Sequence, residues 1–123
     1  MKLLIITLIL WGGSTVAHAQ LANTKWSGSM AVPELTEVTL EFKKDTVNVA
    51  LTNSGDVIET ATYSINGNII TLKKISGGSP CEIGSVSTLR YVLKENELTI
   101  SVENDPCGPR AKAWPDEPFK KTI

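Results

Sequence analysis

The chain has 123 residues, with 12 Lys or Arg against 13 Asp or Glu, two cysteines and one histidine. That near-balance of charge excludes the clustered basic face of a nucleic-acid binder and gives no electrostatic pull towards an anionic membrane. The length allows one domain with a single modest core.

Met1-Lys2 supplies a positive start, and Leu3 to Trp11 is apolar except for Thr7. Gly12-Gly13-Ser14 breaks the run, and Ala17-His18-Ala19 has the A-x-A form of a cleavage signal. Charge, short apolar core and small residues in that order predict a secretory signal peptide over residues 1–19. The apolar core is too short for a stable membrane span. Cleavage after Ala19 leaves Gln20 to Ile123, with 11 basic and 13 acidic residues and a net charge of −2. It also removes His18, the one imidazole. Ser-His and Cys-His nucleophile pairs and histidine-ligated zinc are therefore excluded from the mature chain. No metal or cofactor is expected. Two cysteines in an exported chain predict one disulfide, between Cys81 and Cys107, and a periplasmic or secreted location. Closing that loop contributes about 3 kcal/mol in the chain-entropy model.

From Gln20 onward no apolar set recurs at helical spacing over three turns. Short alternating segments separated by turn residues predict an all-β fold. The first strand, residues 25–30, places Trp26, Gly28 and Met30 on one face. The second, about Thr36 to Lys43, turns Val38, Leu40 and Phe42 inward. The third carries Val47, Val49 and Leu51. Asn53-Ser54-Gly55-Asp56 makes a turn. The fourth, Val57 to Ile65, has Ala61, Tyr63 and Ile65 inward, and Asn66-Gly67 after it predicts a type I′ hairpin. The fifth, Asn68 to Lys74, carries Ile70 and Leu72. After the irregular stretch Ser76 to Gly84, a sixth strand aligns Leu89, Tyr91 and Leu93, and a seventh aligns Leu98, Ile100 and Val102. Pro106, Pro109, Pro115 and Pro118 exclude a strand through the next stretch, which has room for a helical turn near residues 111–114. Phe119 to Ile123 is a short eighth strand. Seven or eight strands joined by tight turns predict an up-and-down antiparallel β-barrel; a two-sheet sandwich is the alternative.

Several segments in this order carry a resemblance. They are Asn23-Thr24-Lys25-Trp26, the Tyr63 to Leu72 hairpin, Glu97-Leu98-Thr99-Ile100, and Asp105-Pro106-Cys107-Gly108-Pro109-Arg110 with Trp114. Together they resemble the small lipocalin-like domains of exported bacterial proteins, over nearly all of residues 20–123. The resemblance implies that Trp26 closes one end of the barrel and that Arg110 packs over its ring, a contact worth about 0.5–2 kcal/mol. Thr24 stands where these barrels carry glycine.

The resemblance also implies a non-catalytic binding module. Met30, Val38, Leu40, Phe42, Val49, Tyr63, Leu72, Tyr91 and Leu98 are the candidate interior for a small hydrophobic ligand, with the tyrosine hydroxyls orienting it. The competing expectation is that these side chains simply fill the bore of an eight-stranded barrel. A second function class is a protein-interaction or inhibitor module, a monomer acting through loops 76–84 and 105–118, with Trp114 as anchor or as cap. Catalysis is not expected, because the carboxylates sit on outward faces or in turns.

Overall fold

A computed structural model describes residues 21–122. The expected signal peptide and Ile123 lie outside the described residues. The strands are β1 (Thr24–Ala31), β2 (Leu35–Phe42), β3 (Thr46–Leu51), β4 (Val57–Asn66), β5 (Ile69–Gly77), β6 (Val86–Lys94), β7 (Glu97–Asn104) and β8 (Phe119–Thr122). One helical turn, α1 (Gly108–Ala111), lies between β7 and β8. Each strand pairs antiparallel with the next, and β8 returns to β1, so the sheet is a closed barrel in up-and-down order. Closure leaves no sheet edge for another chain to pair with. The sandwich alternative is thereby set aside.

Side-chain alternation follows from the period of two in a strand. Trp26 and Met30, then Val38, Leu40 and Phe42, then Ala61 and Tyr63 are buried, and their chain neighbours are less so. Closure rests on a short seam: Lys25, Ser27 and Trp26 of β1 pair with Thr122, Lys120 and Lys121, while Phe119 and Lys120 also pair with Leu98 and Glu97 of β7. Phe119 is fully buried and lies over Gly28, where a side chain would collide with its ring.

Two local expectations are corrected. The β4–β5 turn is not type I′, because Gly67 (φ 63°) takes positive φ and Asn68 does not. Glycine at the first of two central positions is the type II′ placement. The helical turn falls on Gly108–Ala111 rather than residues 111–114. Pro109 in its first turn explains this, since its fixed φ suits a helix start and its missing N–H costs nothing there.

Candidate functional site

Strand direction alternates, so the two ends of the barrel differ. The β2–β3, β4–β5 and β6–β7 turns lie at one end. The β1–β2, β3–β4 and β5–β6 turns lie at the other, with the 105–118 segment that carries α1. The first end is sealed. Leu21, Trp26, Leu98 and Phe119 are all buried there. The Trp26 indole N–H donates to Thr24 Oγ1 at 2.8 Å, and the Thr24 hydroxyl in turn donates to the Leu21 carbonyl. The residue at position 24 therefore satisfies the buried indole.

The second end opens into a cavity of about 760 Å³. Its walls are Leu40, Phe42, Val47, Val49 and Leu51 from β2 and β3, Ala61, Ile70 and Leu72 from β4 and β5, and Leu89 and Ile100 from β6 and β7. Its mouth is formed by Met30 to Pro33, Gly78 to Pro80, and Pro109, Arg110, Lys112, Ala113 and Trp114. The lining is overwhelmingly aliphatic, with one phenylalanine and one tryptophan. Trp114 is half-buried and meets Phe119 edge to face, ring centroids 6.2 Å apart. It is thus part of the wall rather than an exposed anchor.

Five of the nine candidate interior residues (Met30, Leu40, Phe42, Val49 and Leu72) line the cavity. Val38, Tyr63, Tyr91 and Leu98 are buried but stand outside its wall. The tyrosine hydroxyls turn towards the sealed end. Tyr63 donates to the Lys43 carbonyl at 2.6 Å and Tyr91 to the Gly67 carbonyl at 3.2 Å. Burial raises the pKa of both phenols, and Asp45 raises that of Tyr63 further. These hydroxyls tie strands to turns, where the candidate role had them orient a ligand.

The polar side of the mouth comes from residues outside the candidate set. Lys74 is 2% exposed and lines the cavity. Its ammonium donates to the Ser79 carbonyl (3.0 Å), Ser79 Oγ (3.0 Å) and the Cys81 carbonyl (2.8 Å). Glu59 lies 3.5 Å from it and accepts from the Ser79 hydroxyl at 2.7 Å. The buried lysine is thus held by three acceptors and a counter-charge, as burial of an ammonium demands. The signal was in the alternation: Lys74 continues Ile70 and Leu72, and Glu59 precedes Ala61, Tyr63 and Ile65. Two bulges complete the arrangement. Val49 opposes Glu59 but Ala50 opposes Val57, so Ile58 is an extra residue and joins the lining. Ala61 opposes Lys74 but Thr60 opposes Ser76, which leaves Ile75 extra and exposed. Such insertions re-aim side chains.

Cys81 and Cys107 are bonded, with Cα atoms 5.8 Å apart. The bridge joins the 78–85 loop to the start of α1, and so fastens two parts of the mouth. Loops 76–84 and 105–118 are therefore neighbours. Arg110 does not reach Trp26, whose indole belongs to the sealed end. Its guanidinium donates to both Asp105 oxygens (2.7 and 2.8 Å) and to Ser85 Oγ (3.0 Å). Burial alone would raise the pKa of the Asp105 carboxyl. Hydrogen bonds from Arg110 and from the Cys107 backbone N–H outweigh that and hold it below the usual carboxylate value. The carboxylates of Glu59 and Asp105, both largely buried, are each paired with a cation. Among the described residues no three His, Cys, Asp or Glu side chains are grouped to hold a metal ion. No family model, curated protein or solved structure matches this chain.

Proposed function

We propose that this chain is an exported, non-catalytic, lipocalin-like barrel that carries a small hydrophobic ligand in its interior. The observation that carries this reading is the aliphatic cavity of about 760 Å³, sealed at one end and reaching the other. Its volume lies within the range of about 300–1,000 Å³ typical of small-molecule sites. A water-accessible apolar space of this size, left open where side chains could have filled the bore, supports a binding site over a filled core. At about 30 Å³ for each water-sized group, it has room for at most roughly 25 non-hydrogen atoms.

The aliphatic wall favours a flexible or branched hydrocarbon over a flat aromatic ligand, because Phe42 and Trp114 are the two aromatic rings among its lining residues. Lys74 and Arg110 are occupied by protein acceptors, which leaves Lys112 as the lining cation with an exposed position at the mouth. The disulfide fits an oxidising, exported compartment.

The test is uptake of a neutral aliphatic ligand, 1-dodecanol, by the oxidised mature protein, read by native mass spectrometry and calorimetric titration. Saturable one-to-one uptake is expected. Ala61→Phe projects a ring into the cavity and should abolish uptake while the near-ultraviolet circular dichroism persists. No uptake by the wild type, or equal uptake by the variant, refutes the reading.

A further inference from the structure

Among the described residues, six large hydrophobic side chains are exposed: Leu35, Val57, Ile75, Ile83, Val86 and Val92. All but Val92 lie at or beside the open end. Three of them stand at the hairpin connections there. Leu35 follows the β1–β2 turn and is 77% exposed, Val57 follows the β3–β4 turn at 53%, and Ile83 lies in the β5–β6 loop at 73%. Each is immediately preceded by an exposed acid: Glu34-Leu35, Asp56-Val57 and Glu82-Ile83. None of these three carboxylates has a salt-bridge partner among the described residues. The same two-residue device thus recurs at all three hairpins of one end, on connections unrelated in length.

The sealed end is built otherwise. Its turns are Lys43-Lys44-Asp45, Gly67-Asn68 and Glu95-Asn96 after Lys94, and Lys120 and Lys121 lie close by on β8. No large hydrophobic residue is exposed on those turns. Folding does not need the aliphatic tips, since they bury little. Solubility is worsened by them, and apolar side chains gathered at one end mark an interaction surface. The paired acids decide the partner. An anionic lipid surface would be repelled by Glu34, Asp56 and Glu82, whereas a surface that alternates cationic and apolar groups meets both halves of each tip.

We propose that the three acid–aliphatic tips form a docking surface for a cationic amphipathic segment of another protein. The tips stand on three of the four connections at the open end, and none of them lines the cavity, so a docked partner sits beside the mouth. Loops 78–85 and 105–112, clamped by Cys81–Cys107, hold the Ile83 tip in place. Lys112 lines the cavity from the fourth connection and belongs to none of the tips. The docking surface stands whether or not the cavity carries a ligand.

The experiment titrates oxidised mature protein against a labelled amphipathic peptide of leucine and lysine, and against its leucine–glutamate counterpart. Vesicles of phosphatidylglycerol and of phosphatidylcholine are the lipid arms. Saturable, salt-sensitive binding of the cationic peptide alone is expected. It should weaken by about tenfold or more in Glu34→Lys/Asp56→Lys/Glu82→Lys, and also in Leu35→Ser/Val57→Ser/Ile83→Ser. Amide chemical-shift mapping on the wild type, which needs no variant, should perturb residues 34–35, 56–57 and 82–83 and spare residues 43–45 and 94–96. The proposal is overturned by absence of cationic-peptide binding, equal binding of the anionic peptide, or attachment to either vesicle through these tips. A self-dimer that buries the tips, or shifts confined to the sealed end, overturns it equally.

Discussion

Replacing Gly28 by alanine tests how tightly the barrel is seamed. The backbone at Gly28 is not in the positive-φ region. Alanine there would ordinarily stabilise by about 0.4–1 kcal/mol through the unfolded chain. The structure reverses that sign. A Cβ at Gly28 would lie 2.5, 2.9 and 3.1 Å from Cδ2, Cε2 and Cγ of Phe119, against an optimum near 3.5–4.0 Å for carbon pairs. The ring must retreat by about 1 Å, yet it is fully buried and backed by Trp114. Overpacking of this kind costs about 1–3 kcal/mol, so Gly28→Ala should destabilise by a net of about 1–2 kcal/mol. For a domain of this size the melting temperature should fall by about 4–16 °C. Urea unfolding followed by tryptophan fluorescence measures the change. Phe119→Leu should relieve the conflict, so the double variant should be more stable than the sum of the singles predicts, by about 1 kcal/mol. A Gly28→Ala protein as stable as wild type, or strict additivity in the double variant, would refute the packing account of the β1–β8 seam.

Cys107→Ala should lower stability by about 2–4 kcal/mol, a difference that vanishes when both proteins are unfolded under reducing conditions. Asp105→Asn leaves Arg110, whose side chain is only 11% exposed, without its counter-charge; a loss of about 3–5 kcal/mol is expected at neutral pH. Because the folded carboxyl titrates below its ordinary value, its contribution is complete above about pH 4 and disappears as pH falls through the folded value. Urea midpoints of wild type and variant should therefore converge in acid and stay apart from pH 5 to 7. Lys74→Met keeps the side-chain length but strands the Ser79 and Cys81 carbonyls beside Glu59. It should cost about 1–3 kcal/mol and speed amide exchange in residues 78–85 while leaving the β6–β7 ladder protected.

The legible part of the site was apolar. Met30, Leu40, Phe42, Val49 and Leu72 could be placed on the wall because each belongs to a clear alternating run. Glu59 and Lys74 obey the same alternation, but a charge at an inward position reads as an exposed face until its partner is known. That partner, Ser79 with the Cys81 carbonyl, sits in a loop without periodicity. Tyr63 and Tyr91 were placed inside correctly. The direction of their hydroxyls depended on which turn carbonyl lay within reach.

Local chemistry by itself determined that this is an all-β chain, where its strands run, which faces turn inward, and that its two cysteines pair. Side-chain direction in a strand has a period of two, and turns are specified by their own residues, so these features need no distant contact. Tertiary structure alone decided the rest. The pairing of β8 with β1 closed the barrel. Bulges at residues 58 and 75 changed what the wall presents. Leu21, Trp26, Leu98 and Phe119 sealed one end while the aliphatic side chains stopped short of filling the interior. Arg110 went to Asp105 because both lie at the open end, a barrel length away from Trp26. The acids and aliphatics of three separate hairpins share one end only because alternating strand direction delivers every second turn there.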